Sequence, residues 1–378
     1  MLTSNDWNKI EKQARKLYSN LELEIIKEIA ERIANFGYAN TVVLNDLQIA
    51  QEMGMLYTDI INLVAQDTNK SFDEIKDIFE SAGYKSLAYD DKIYKMAGYI
   101  PKNLKQSYSM VQLLEATIRN TNYNLNNLVR TTAVTSQTEF YKAMNKAYME
   151  VSTGTKSYSQ SIIDTISDLS KNSTKIIYPS GRQMSIESAI RMNIVTSVNQ
   201  MCGQLQLIRA DEMNWDLMEL TAHAGARPEH AEWQGKVVSR SGKKGYLSLE
   251  DIGYGTVTGF KGVNCRHDWR PYYANSSLTY SKEELKEINN QTVKYQGKDI
   301  SKYEATQIQR SLERKIRQDK KEISGLQGIL INSKDNELLK QANESLQSAK
   351  LKQKLHTNNL NQFLEETGSR KDYSRLKI

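Results

Sequence analysis

The sequence predicts a mainly α protein: a multi-helix N-terminal and central region, a small α+β domain with a His/Cys motif, and a C-terminal antiparallel coiled-coil hairpin. Three observations lead there. Apolar residues recur at helical spacing over most of the chain. The rare residues crowd between His223 and Tyr273, which hold three of four histidines, one of two cysteines, two of four tryptophans and two of four prolines. From Tyr280 onward glycine and aromatics thin out, and Lys, Glu, Gln, Asn and Leu take over.

A chain of 378 residues exceeds the usual single domain, so two or three packing units are expected. Composition divides it into an N-terminal helical region (1–88), a central helical region (89–174), a mixed α+β domain with the motif (175–279) and a C-terminal helical hairpin (280–378). The net charge of +6 is small beside 51 basic and 45 acidic residues, which describes a solvated mixed-charge surface better than a nucleic-acid binder. Cys202 and Cys265 are too few for a disulfide framework and point to a reducing compartment. The opening MLTSNDWNKIEKQARKLY has no apolar signal-peptide core, and no apolar run reaches membrane-span length, so a cytoplasmic origin without membrane association is expected.

Asp6 caps a first helix with Trp7, Ile10, Ala14 and Leu17 at helical spacing, and Leu21, Ile25, Ile29 and Ile33 stripe a second. Three short helices are expected next: Thr41–Met53, Met55–Ala65 after a break at Gly54, and Ser71–Ala82, which opens on a Ser71/Glu74 capping box and stops at Gly83. Short helices joined by turns can mimic a helix-turn-helix DNA reader, but the third carries almost no Arg or Lys for phosphate contact.

From Asp90 to Val151 the pattern stays helical, with breaks expected at Gly98–Pro101 and around Asn120–Asn127. Phe140, Met144, Ala147 and Val151 mark a core face before Thr153-Gly154 ends it, and Ile162, Ile163, Ile166 and Leu169 face inward on the next helix. KIIYPSGRQM then reads as a small hairpin. The best helix spans Ile186–Met213, with Ile190, Ile194, Val198, Met201, Leu205 and Ile208 along one face and Arg191 and Arg209 snorkelling beside it. WDLMELT is a strand leading into the motif. At the end, Leu312, Ile316, Ile323 and Leu330 line one helix, while Leu339, Leu346, Leu351, Leu355, Leu360 and Phe363 line a second. With INSKDN between them they form a hairpin with arms of about 45 Å, a rod for partner contact.

His223, His230, Cys265 and His267 are the one set suited to a metal. Imidazole and thiolate fit a tetrahedral zinc, and H-x6-H at one end with C-x-H at the other would pin two segments of a domain with little core of its own. The spacing is not that of a zinc finger, and the rival is a polar cluster in which each histidine satisfies a backbone carbonyl. A structural zinc is thus the one cofactor to test. As a nucleophilic dyad, Cys265 and His267 would point to opposite faces of a strand, and no Gly-x-Ser-x-Gly, phosphate-loop or HExxH motif occurs, so no enzyme is expected. Glycines 225, 235, 253, 255, 259 and 262 serve turns with positive φ, and Trp233 and Trp269 belong to a core.

The blocks HAGARPEHAEWQGK and GVNCRHDWRPY resemble the closing motifs of the phage minor capsid protein 2 family. EIAERIANFG, NNLVRTTA, YPSGR and AIRMNIVTSVNQ also resemble that family's blocks, in its order, so the likeness runs from about Asp6 to Tyr273. The end of the motif is more distantly similar to Mu F-like head morphogenesis proteins, where the position of Arg227 looks like cysteine; here that leaves the fourth ligand open. The resemblance implies a structural protein of a phage or prophage head, made in the bacterial cytoplasm, present in a few copies in the capsid interior or at the portal vertex, and acting in head assembly, with DNA packaging or ejection as a further role. Its implied partners are the portal protein and major capsid protein of the same phage, with packaged DNA as a further contact. The alternatives are an effector enzyme delivered with the DNA and a cytoplasmic DNA-binding assembly factor.

Overall fold

The computed structural model describes residues 1–17, 20–39, 46–178, 180–274 and 276–377. Its helices are α1 (Ser4–Lys16), α2 (Leu21–Ala39), α3 (Asp46–Met96), α4 (Tyr108–Ser152), α5 (Tyr158–Asn172), α6 (Ile186–Glu212), α7 (Pro228–Ala231), α8 (Lys282–Asn289), α9 (Lys302–Asn332) and α10 (Asn336–Thr367). The strands are short: β1 (Lys175–Ile177), β2 (Gln183–Ser185), β3 (Leu217–Leu220), β4 (Val237–Ser239), β5 (Trp269–Pro271), β6 (Thr292–Tyr295) and β7 (Lys298–Ser301). The mainly α class is therefore correct.

Two compact units are assembled, each from three stretches of chain. The first takes Met1–Lys16, Ser71–Asn124 and Arg191–Gln307; the second takes Leu17–Lys70, Leu125–Ile190 and Ile308–Ile378. Boundaries drawn from composition at 88, 174 and 279 follow the chain; these units follow contacts in space.

In the second unit the expected faces close on one another. Leu21, Ile25, Ile29 and Ile33 of α2, Phe140 and Met144 of α4, and Ile162, Ile163, Ile166 and Leu169 of α5 are all buried. The C-terminal hairpin belongs to this bundle and is not a free rod. Helix α10 packs on α5, Gly325 of α9 lies against Ile166 and Ser170 of α5, and Gly328 lies against Ala30 of α2. Helices α9 and α10 run antiparallel, with His356 Nδ1 2.6 Å from Asp319 Oδ2 and Lys352 near Glu322. Leu351 and Leu355, expected on the core stripe, are exposed. The buried line of α10 runs through Leu338, Ala342, Leu346 and Ala349 to Leu360 and Phe363, and Leu351 lies about 200° around the helix from Ala349. Glu22 ties the unit together, accepting from Ile186 N–H at the start of α6 and pairing with Lys321 Nζ of α9 at 2.8 Å, both side chains buried. The β1–β2 hairpin forms as expected, although its Pro179 lies outside the described residues.

The expected helix breaks fail where burial outweighs local preference. Helix α3 is continuous, so it neither breaks at Gly54, starts anew at Ser71 nor stops at Gly83, and the helix-turn-helix disappears; residues 41–45 and the side chain of the expected Ser71 cap lie outside the described residues. Buried Leu56, Ile60, Ile75, Ile78 and Phe79 carry the helix through these positions. Gly83 permits a close helix crossing, since a Cβ there would sit 3.0 Å from Leu205 Cδ1 of α6. Helix α4 likewise runs through Asn120–Asn127, held by Thr121, Leu125 and Val129, whereas the break at Gly98–Pro101 is real.

In the first unit α6 is the spine. Arg209, expected to snorkel, is fully buried: its Nε lies 2.9 Å from Asp91, its Nη1 2.8 Å from Glu212, and its Nη2 donates to the Lys102 carbonyl. Arg191 stays part-exposed, 3.8 Å from Glu11. Strand β3 lies between β4 and β5, antiparallel to both, and all four of its residues are buried. Glu219 can be buried there because Arg270 pairs with it at 3.2 Å and Thr279 donates to it twice. Two elements absent from the sequence reading follow: α8, with a Ser281/Glu284 capping box, and the β6–β7 hairpin turning on Gln296-Gly297, both at positive φ.

Candidate functional site

The motif segment folds around the end of β3. Thr221 N–H donates to the Asp268 carbonyl and Asp268 N–H donates to Thr221 Oγ1, each at 2.8 Å, which brings the first motif loop beside the second. The first loop carries His223. Pro228 then starts the single turn of α7 with its ring-fixed φ and places His230 at the turn's end, with Trp233 and Gln234 following. Arg227 Nη2 donates to the Val263 carbonyl at 2.6 Å and ties this loop to the second.

The second loop has little room. A Cβ on Gly259 would meet the Gly253 carbonyl oxygen at 2.1 Å and one on Gly262 would meet that of Thr256 at 2.2 Å; close backbone approach, not positive φ, requires glycine at these two positions. Glycines 225, 235, 253 and 255 do have positive φ, as expected. Asn264 adopts φ 57°, and this left-handed residue leads into an irregular stretch, not a strand. For that reason Cys265 and His267 meet after all, with Sγ 3.7 Å from Nδ1. The strand geometry that kept them apart does not exist here.

Of the four expected ligands, three converge. His230, Cys265 and His267, all buried, each offer a ligand atom within 4.8 Å of the others. His223 stacks on the His267 ring, with centroids 4.2 Å apart, and its Nε2 is buried without a hydrogen-bond partner. Burial lowers the pKa of His223, of His230 and, furthest, of His267, and raises that of the Cys265 thiol. A neutral imidazole beside a protonated thiol is not the ion pair that activates a nucleophilic cysteine.

The surroundings supply what sequence alone does not reveal. Gln234 Oε1 accepts from His223 N–H at 3.1 Å and from His267 Nε2 at 2.9 Å. Asn199 of α6 donates to the Cys265 carbonyl at 2.8 Å and accepts from Lys261 Nζ at 3.0 Å. Lys261 is 1% exposed and pairs with buried Asp268 at 2.8 Å. Burial alone would raise the Asp268 pKa, but Lys261 beside it brings it down to about 2. The hydrophobic core beneath comprises Met218, Leu220, Trp233, Val238, Ile252, Phe260, Cys265 and Trp269. The motif segment thus has a core of its own, contrary to expectation. Both tryptophans belong to it, and Tyr254 stacks on Trp269 at 5.3 Å. Both cysteines are free and buried.

The profile of the family described as phage minor capsid protein 2 matches residues 2–363. The chain belongs to that family. The match spans the helices of both units as well as the His/Cys segment, well beyond the stretch from Asp6 to Tyr273. The chain is also similar to a protein of Lactococcus phage LL-H named "Structural protein", 26% identical over 314 residues, covering 78% of this chain and 80% of that protein. No solved structure matches. As a member of the minor capsid protein 2 family, the chain is a phage structural protein. Among the described residues no helix is long and apolar enough to cross a membrane.

Proposed function

We propose that this minor capsid protein sits at the portal vertex of a phage or prophage head and acts in head assembly, at the opening through which DNA enters and leaves. The observation that carries the reading is the family match over residues 2–363. A protein kept whole in this way, helical bundle and motif segment together, suits a fixed place in a particle built with portal and major capsid subunits. The side chains agree with an architectural role: the Cys265 thiol is buried and its pKa is raised, and Trp233 and Trp269 are spent on a core. The continuous α3 also removes the helix-turn-helix that would have favoured a DNA-binding factor.

The test is co-expression of this chain with the portal and major capsid proteins of the same element, followed by lysine cross-linking and mass spectrometry of the assembled particles. Cross-links to the portal are expected in excess of those to the major capsid protein. Cross-links to the major capsid protein alone would overturn portal association, and none to either would overturn the head-assembly role.

A further inference from the structure

We propose that His223, His230, Cys265 and His267 form a tetrahedral site, three nitrogens and one sulfur, for a divalent ion of the zinc class. The proposal is independent of where in the particle the chain resides.

Hydrogen-bond partners fix which ring nitrogens bear protons. A carbonyl oxygen can only accept, so the imidazole nitrogen facing it must donate, and in a neutral ring the second nitrogen then carries the lone pair. His223 Nδ1 faces the Ala224 carbonyl at 3.2 Å, His230 Nε2 faces the Thr258 carbonyl at 2.7 Å, and His267 Nε2 faces Gln234 Oε1 at 2.9 Å. That Gln234 atom is an oxygen, since it also receives the His223 backbone N–H, which can only donate. The three rings are therefore committed to lone pairs on His223 Nε2, His230 Nδ1 and His267 Nδ1. The first of these has no hydrogen-bond partner although it is buried, and the third faces the Cys265 sulfur. An acceptor left unpaired in the interior costs free energy that coordination would recover. Zinc-bound histidines characteristically donate their other N–H to a carbonyl or carboxylate oxygen, the arrangement present three times here.

Dimensions agree. Zn–N bonds of about 2.0–2.1 Å and Zn–S bonds of about 2.3 Å put tetrahedral ligand atoms roughly 3.3–3.6 Å apart. The Cys265 Sγ to His267 Nδ1 distance of 3.7 Å lies about 0.1 Å from this, and the 4.8 Å limit on the trio leaves about 1.2 Å of contraction. His223 completes the site by rotating its ring off His267, a side-chain movement that exchanges its Nδ1 contact with the Ala224 carbonyl for the ion and leaves its backbone anchored to Gln234. On binding, the Cys265 thiol loses its proton to solvent as the Zn–S bond forms, and the neutral imidazoles bind without losing one. Thiolate and imidazole donors without a carboxylate select zinc-class ions over magnesium or calcium. The loops are already joined by the Thr221–Asp268 and Arg227–Val263 bonds and rest on the core, so the ion locks a preformed pocket and does not create the fold.

The test uses the full chain, purified without chelator. Elemental analysis is expected to find one zinc per chain. Replacement by Co(II) should give the visible bands of a tetrahedral ion and a near-ultraviolet thiolate charge-transfer band. Cys265→Ser should remove the charge-transfer band. Because Cys265 is part of the core, that variant is paired with Gln234→Ala, which withdraws the His267 support and should weaken zinc about 10–100-fold. His223→Ala should lower affinity at least as far. A metal-free protein whose Co(II) spectrum is that of the aqueous ion overturns the proposal. Tetrahedral Co(II) bands unchanged by Cys265→Ser and His223→Ala would place the metal elsewhere and overturn it equally.

Discussion

Replacing Lys261 by methionine keeps the apolar stem that packs against Gly203 of α6 and removes the ammonium. Asp268, 2% exposed, then loses its charge partner at 2.8 Å, and Asn199 Oδ1 loses a donor at 3.0 Å. Breaking a buried ion pair from one side costs about 3–5 kcal/mol. Asp268 keeps the Leu2 and Trp269 N–H groups at 3.1 and 2.9 Å, which places the pair loss near the lower end, about 3 kcal/mol. The orphaned Asn199 oxygen adds about 1 kcal/mol. The sum, about 4 kcal/mol, lowers the melting temperature of a unit this size by roughly 8–16 °C. Urea unfolding followed by tryptophan fluorescence is the assay, because all four tryptophans lie in the first unit. The Asp268 pKa is depressed, so its contribution is present above pH about 4 and lost as pH falls toward 2; Lys261→Met should flatten that acid limb. A loss below about 1 kcal/mol, with the acid limb unchanged, would refute the reasoning.

Glu22→Ala removes both the cap on Ile186 N–H and the partner of buried Lys321, and should cost about 3–5 kcal/mol by far-ultraviolet circular dichroism. Asp90 faces Gln206 Nε2 at 3.0 Å and the Met1 amine at 3.9 Å, and burial raises its pKa to about 7. A raised carboxyl stabilises fully below pH about 4 and loses that contribution as pH rises through 7, so Asp90→Asn should show less dependence of the urea midpoint on pH between 4 and 7 than the parent. Gly259→Ala drives a Cβ into the Gly253 carbonyl and should cost about 1–3 kcal/mol by tryptophan fluorescence. Gly54→Ala, with open space around it inside α3, should instead stabilise by about 0.5–1 kcal/mol in thermal melts.

Helical periodicity made α6 and the faces of α2, α4 and α5 legible, because burial of one stripe is what those helices are for. Local breakers misled at Gly54, Gly83 and Asn120–Asn127, where apolar faces continuing on both sides outweigh a cost of about 1 kcal/mol per residue. The β6–β7 hairpin went unseen although Gln296-Gly297 signals its turn, since its polar strands bury little. At the candidate site residue type was the legible part: His223, His230, Cys265 and His267 read as one set, of which the fold brings His230, Cys265 and His267 together and stacks His223 on His267. Gln234, Asn199, Lys261 and Asp268 were not. Their roles arise from hydrogen bonds spanning up to 266 residues, and a lysine in GFKG carries no local sign that it will be buried.

The most direct measurement is quantitative mass spectrometry of particles from the element that encodes this chain, comparing full heads, empty heads and soluble lysate. We expect the protein in both head fractions at a few copies per particle, in fixed ratio to the portal. Recovery wholly in the soluble fraction would contradict a place in the virion and point to an assembly factor or effector.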